Sequence, residues 1–208
     1  MASATHEGIV ILFRERPALA LELLAAAGKD PGAAWAVASI EDATFPQSAP
    51  AHRADAVSTF FDERGRRVLA AIVEVQLGHD PDKPWTWPLY WATLRARLRC
   101  PVVLVVVAVD RAVARWATRA LARTLASGPF GPRVLGPEHV PRITDPEVAR
   151  QTPELAVLSS LVHGNEAGGA HIAAAALESA AHLDASRAAL YHDLVRHGLN
   201  DAATAALE

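Results

Sequence analysis

Between Cys100 and Asp110 the chain runs Pro101-Val-Val-Leu-Val-Val-Val-Ala-Val109, six valines in nine residues with no charge. β-Branched side chains favour extended backbone, and a strand without polar alternation must be covered on both faces. Such a strand demands helices on either side of a sheet, and its expected place is the middle of that sheet. The run is far short of the roughly 20 apolar residues that span a bilayer, so no membrane partner is expected.

The rest of the chain supplies the layers. From Glu7 to Ala27 apolar residues recur at helical spacing on either side of Pro17, which predicts two short helices. Ala34 to Ile40 is a weak strand, and Glu41 to His52 reads as loop. Ala54 to Phe61 and Val68 to Leu77 are β-rich runs joined by Asp62-Glu63-Arg64-Gly65-Arg66, the pattern of an antiparallel hairpin. Pro84 to Arg99 places Trp87, Tyr90, Trp91, Leu94 and Leu98 on one helical face, with Arg95, Arg97 and Arg99 off it. Pro84 and Pro88 are tolerable there because they lie near the helix start. Arg111 to Ala126 is a further amphipathic helix, followed by a short strand at Arg133 to Leu135. Beyond Asp145 the sequence is helical and alanine-rich: Pro146 to Gln151, Pro153 to His163, Ala170 to His182, and Ala185 to Leu207. The expected division is residues 1–144 as an α/β domain and residues 145–208 as a C-terminal helical extension.

With 208 residues, 51% of them hydrophobic, the chain has enough apolar material for a real core and is not disordered. Its 20 Lys+Arg against 23 Asp+Glu leave a formal net charge of −3, so a polyanion would have to be met by a local basic patch. One cysteine, Cys100, forms no intramolecular disulfide. The N-terminal residues, with His6, Glu7, Arg14, Glu15 and Arg16, lack the basic start and uninterrupted apolar stretch of a signal peptide, so a cytoplasmic protein is expected.

The chemistry is concentrated in the hairpin. In Ile72-Val73-Glu74-Val75-Gln76-Leu77, Glu74 and Gln76 share one face of the strand while Val73, Val75 and Leu77 take the other. A carboxylate on a core strand is costly unless it is paired or holds a cation. The hairpin brings Asp55 onto the neighbouring strand, and two carboxylates with the carbonyl of Val75 and water suit one Mg²⁺, with Mn²⁺ as a substitute. The plainer reading of the three residues is the solvated face of a hairpin with alternating polarity.

An Asp opening the second strand, Glu-x-Gln on the third, then a helix and a hydrophobic strand resembles the PD-(D/E)XK nuclease superfamily. The stretch from Arg53 to Arg99, with RADAV, IVEVQL and WPLYWATLRARLRCPVVLVVV, is similar to the Rpn-type recombination-promoting nucleases and transposase-associated members. The resemblance covers roughly Glu7 to Val109. It implies a restriction-endonuclease-like mixed β-sheet core flanked by helices and metal-assisted hydrolysis of DNA phosphodiester bonds. Asp55 and Glu74 would be metal ligands, Glu7 an accessory acid near the metal, and Gln76 would stand where the motif lysine stands. Gln76 carries no charge, so it could at most orient water. Lys83 or an arginine of the following helix would then supply the missing positive charge, and Lys83, Arg95, Arg97 and Arg99 are the candidate nucleic-acid contacts.

Other devices are missing from the sequence or weak in it. There is no HExxH, no Gly-x-Ser-x-Gly elbow around Ser159, Ser160 and His163, no P-loop and no Gly-x-Gly-x-x-Gly. Trp85, Trp87, Tyr90 and Trp91 read as packing residues more readily than as base-stacking ones. Two rivals to the nuclease stand beside it: a catalytically inactive nucleic-acid-binding or protein-interaction module of the same fold, and a metal-free helical adaptor that forms a homodimer through its alanine-rich tail.

Overall fold

A computed structural model describes residues 4–29, 32, 34–41, 54–124 and 131–207. The loop expected at 42–52, Arg53 and the expected end of the helix at 125–126 lie outside the described residues. The first helix, α1, is Ala4–Glu15, and Pro17 separates it from α2, Leu19–Ala26. Then come β1 (Val37–Ile40), β2 (Ala56–Phe61), β3 (Arg67–Val75), α3 (Lys83–Leu98), β4 (Val102–Val107), α4 (Arg111–Thr124) and β5 (Arg133–Leu135). A 3₁₀ turn at Pro137–His139 leads into α5 (Pro146–Gln151), α6 (Pro153–His163), α7 (Gly169–Ala180), α8 (Ala185–Gly198) and α9 (Asp201–Ala205).

By its internal contacts the chain divides into two compact units, Arg16–His139 and Met1–Glu15 with Val140–Glu208. The helix α1 thus belongs with the C-terminal helices, not with the sheet that follows it, and the boundary in the chain falls at 139/140.

In the first unit five strands of the described residues form one mixed sheet in the order β1-β2-β3-β4-β5. β1, β2 and β3 are antiparallel neighbours, whereas β3-β4 and β4-β5 are parallel. The hairpin turn works because Asp62 accepts the backbone N–H groups of Arg64 and Arg66, while Gly65 takes φ +71°, a conformation open to glycine without strain. A parallel pair needs a crossover, and α3 and α4 supply the two. The valine-rich strand β4 has all six residues buried, as its composition requires, each valine contributing about 1.5–2 kcal/mol by its removal from water. It does not take the middle of the sheet, however; β3 does, because β5 adds only one short strand outside β4 while β1 and β2 both lie on the other side of β3.

Alternation divides the strand residues between two faces. Val57, Ala70, Ile72, Val102, Leu104 and Val106 pack with Trp87, Tyr90 and Leu94 of α3 and Ala117 and Leu121 of α4. The alternate set, including Ala71, Val73, Val103 and Val105, is equally buried on the opposite face. Pro88 lies inside α3, in its second turn, and α3 ends in a left-handed cap at Arg99 with φ 53°.

In the second unit α6 and α7 form the closest helix pair, with α1, α5 and α8 around them. The segment read from sequence as one helix, Ala185 to Leu207, is two: α8 ends at Gly198, and Asn200 restarts the chain by accepting the Ala203 N–H at 2.9 Å. Among the described residues no helix is long and apolar enough to cross a membrane.

Candidate functional site

The site grows out of strand register. Ala56 lies opposite Val73 and Val57 opposite Ile72, so continuing the ladder by one residue sets Asp55 opposite Glu74. Cross-strand partners in an antiparallel pair point to the same face. Asp55 also extends the ladder with its side chain, Oδ2 accepting the Val75 N–H at 2.8 Å. Gln76, two residues beyond Glu74, returns to that face, and its own N–H is held by the Val107 carbonyl at 2.8 Å.

Glu74 is fully buried. Its Oε2 accepts a charge-assisted bond from Lys83 Nζ at 2.5 Å and a longer one from Trp87 Nε1 at 3.3 Å. Its Oε1 has no hydrogen-bond partner among the described residues, and neither has Gln76 Oε1, although Gln76 Nε2 donates to the Gly78 carbonyl at 2.7 Å. Two buried acceptor oxygens are therefore open on one face of the sheet, beside Asp55. Leaving a buried polar atom unmatched costs on the order of 1–3 kcal/mol, more for a charged group, so their coincidence here calls for a reason.

Electrostatics follow from the same packing. Burial pushes the Glu74 carboxyl up to about 7, the charge of Asp55 adding to the rise and Lys83 opposing it. Burial alone would lower the Lys83 pKa, but the attraction of Glu74 and the hydrogen bond to it outweigh that and hold the ammonium above its ordinary value. Tyr90 is raised by burial and by Glu74, and its ring lies 5.9 Å from Lys83 Nζ. The recurrence Lys83, Trp87, Tyr90 along α3 places an ammonium and an indole N–H on one carboxylate, with the Tyr90 ring near the ammonium.

Of the residues singled out from sequence, Asp55, Glu74, Gln76 and Lys83 are brought together. Glu7 is exposed on α1, in the helical unit. The arginines of α3 sit at its far end: at a rise of about 1.5 Å per residue, Arg95 is about 18 Å along the helix from Lys83. Arg95 stacks its guanidinium on Trp91 at 5.5 Å, and Arg99 forms the helix cap. Ser159 and His163 of the helical unit serve backbone groups: Ser159 Oγ accepts the Ile143 N–H at 3.0 Å, and His163 Nε2 meets the Val140 carbonyl oxygen at 2.9 Å. The sequence suggests packing more readily than base stacking for Trp87; its bond to Glu74 is not visible without the register that puts Glu74 beneath it.

The donor set suits a hard cation. It offers two carboxylates and an amide oxygen, with no thiol and no imidazole among them. Among the described residues no group of three or more His, Cys, Asp or Glu side chains gathers anywhere, so Asp55 and Glu74 would need neutral oxygens to complete a coordination shell. No family model, curated protein or solved structure matches the chain.

Proposed function

We propose that the Arg16–His139 unit is a metal-dependent endonuclease of the PD-(D/E)XK type, with a restriction-endonuclease-like core, that hydrolyses DNA phosphodiester bonds. The observation that carries the reading is the fully buried Glu74 with one oxygen open, opposite Asp55 and beside the open amide oxygen of Gln76. The topology supports it: a hairpin delivers both carboxylates, and a crossover helix returns a lysine to them.

Asp55 and Glu74, with water completing the shell, would hold Mg²⁺, or Mn²⁺ in its place. When bound, such an ion supplies charge stabilisation at the phosphoryl group and a more acidic water. The chain's own residues do the rest. Glu74 must be ionised to bind a cation, and with a carboxyl near 7 that ionisation is completed only above neutrality. Lys83 takes the electrostatic part of the motif lysine from the helix instead of the strand, its ammonium already within hydrogen-bond reach of Glu74. Gln76 orients a water by accepting from it.

A specific observation favours the alternative, a nucleic-acid-binding or protein-interaction module without catalysis: the Lys83–Glu74 pair already neutralises the carboxylate without a metal. One experiment separates the two. Purified protein, Asp55→Ala and Glu74→Ala are incubated with supercoiled and linear DNA in Mg²⁺, Mn²⁺ or EDTA, and their thermal midpoints are recorded with and without Mn²⁺. The endonuclease predicts metal-dependent cleavage that falls at least about a hundredfold in both variants, with a Mn²⁺-induced rise in midpoint only in the wild type. DNA binding with no cleavage and no metal-induced shift rejects it in favour of the module.

A further inference from the structure

A basic surface of the sheet unit lies on α4 and the β5 edge. Arg111, Arg115 and Arg119 recur every four residues along α4, all three exposed, and among the described residues they form no ion pair or hydrogen bond. Four residues of helix rise about 6 Å, so the three guanidinium groups stand in a row. Beside the row is a cavity of about 450 Å³ bordered by Arg115, Thr118 and Arg119 on one wall and by Lys29, Val134 and His139 on the other.

A second, independent observation concerns the far wall. The Gly136 N–H donates to His139 Nδ1 at 3.0 Å, so that nitrogen must present its lone pair, and the neutral ring carries its proton on Nε2. Nε2 lies 2.7 Å from Lys29 Nζ, which also donates to the Val134 carbonyl at 3.1 Å. Two donors face each other at contact distance. Burial and then the charge of Lys29 hold the His139 pKa down, and burial with Arg133 lowers that of Lys29 against the opposing charge of Glu138. Glu138, the carboxylate on this wall, lies 3.5 Å from Nδ1, on the side of the ring away from Lys29, and is more than half exposed. An acceptor oxygen carrying negative charge, set to one side of the Lys29–His139 contact within reach of both nitrogens and with the α4 arginines opposite, would offset this repulsion.

The location ties this surface to the site. Glu74 pairs with Val106 and Val106 with Val134, so the three residues form one row across adjacent strands. At about 4.8 Å per strand, Val134 is about 10 Å from Glu74 across the sheet. The start of α4, where Arg111 sits and Asp110 accepts the Ala112 and Val113 N–H groups, follows the carboxyl end of β4 beside Gln76. Open α/β sheets place ligands at the carboxyl ends of their parallel strands.

We infer that the α4 arginine row and the Lys29–His139 cavity hold the phosphate backbone of the nucleic acid on which the Asp55–Glu74 site acts. The inference rests on the nuclease reading and adds its substrate-anchoring surface, in place of the arginines of α3. Phosphate contacts of this kind set position and register without reading sequence.

The test is binding of a fluorescein-labelled DNA duplex, measured by anisotropy in EDTA so that cleavage plays no part, at several salt concentrations. Wild type, Arg115→Ala/Arg119→Ala, Arg115→Lys/Arg119→Lys and Arg95→Ala/Arg99→Ala are compared, with thermal midpoints to verify folding. We expect the α4 alanine pair to bind at least tenfold more weakly, with the slope of log K against log[salt] reduced by on the order of 2, as loss of two phosphate contacts requires. The lysine pair retains most of the affinity, and the α3 pair binds within about twofold of wild type. Unchanged binding by the α4 alanine pair overturns the inference. So does a wild type that binds no DNA while inorganic phosphate raises its thermal midpoint, which would assign the cavity to a small phosphorylated ligand. If the α4 pair loses binding as expected but no metal produces cleavage, the endonuclease reading fails and the anchoring surface stands as that of a binding module.

Discussion

Glu74 in the sheet unit and Glu154 in the helical unit are both almost wholly withdrawn from solvent, at 0% and 5% exposure, yet their surroundings differ. Glu154 accepts from the hydroxyl of Tyr191, itself fully buried, at 3.3 Å, and among the described residues neither of its oxygens is left buried without a partner. Burial and the charge of Glu154 together push the Tyr191 pKa up, which keeps the phenol a donor at any ordinary pH. Glu74 has two donors crowded on one oxygen and none on the other. A matched buried acid is a fastening; an acid with an open oxygen next to a second carboxylate is a fastening left incomplete. The contrast teaches where to look for chemistry: burial with open acceptors is a better pointer than burial alone.

The contrast can be broken at its stronger partner. Lys83→Met strands Glu74 without its counter-charge, and removing one member of a buried pair costs about 3–5 kcal/mol. That loss should appear in urea unfolding at pH 8 and shrink on acidification, as Glu74 takes up a proton. A loss under about 1 kcal/mol at pH 8 would mean that the ion pair does not hold the site.

Next in size is a pH effect. The folded value of Glu74, about 7, is above its ordinary 4.5, so between those limits the folded state binds more protons than the unfolded one. Stability then falls as pH rises through that window, by up to about 1.4 kcal/mol per unit and about 3 kcal/mol in all. Glu74→Gln should flatten the profile between pH 5 and 7, and an unchanged slope would assign it to another group. The Glu154 counterpart is Tyr191→Phe, which deletes a bond to a buried carboxylate and should cost about 1.5–3 kcal/mol in chemical denaturation. Smallest is Ser159→Ala, which leaves the Ile143 N–H unmatched, with an expected loss of about 1 kcal/mol.

The parts legible in the sequence were those with local causes. The β-rich run of residues 68–77, the charged turn at Asp62–Arg66 and the unbroken valine run each state their own conformation, and the hairpin and buried strand follow. Asp55, Glu74 and Gln76 could be placed on one face from alternation and a hairpin alone. The central position of β3 could not be read, because β4 advertises burial through valine whereas β3 achieves the same burial with Ala70 and Ala71 under its helices. The grouping of α1 with the C-terminal helices depends on partners more than a hundred residues away, and no local signal carries it. The Lys29–His139 contact spans 110 positions and is equally invisible. Arg111, Arg115 and Arg119 recur at helical spacing in plain view, while Arg95, Arg97 and Arg99 stand closer in sequence to the carboxylates; that α3 carries Arg95 about 18 Å along its axis from Lys83 follows from helix geometry and not from position in the chain.

From β1 to β5 the strands run 4, 6, 9, 6 and 3 residues, so the sheet tapers toward both rims from a long centre. Outer strands this short offer a passing chain few unpaired amides on which to extend, and on β5 the Val134 carbonyl is already taken by the Lys29 ammonium. A valine-rich interior of this kind is hazardous if exposed as a template. The taper confines that hazard to the unfolded chain and leaves the folded protein poorly suited to strand-by-strand growth into fibres.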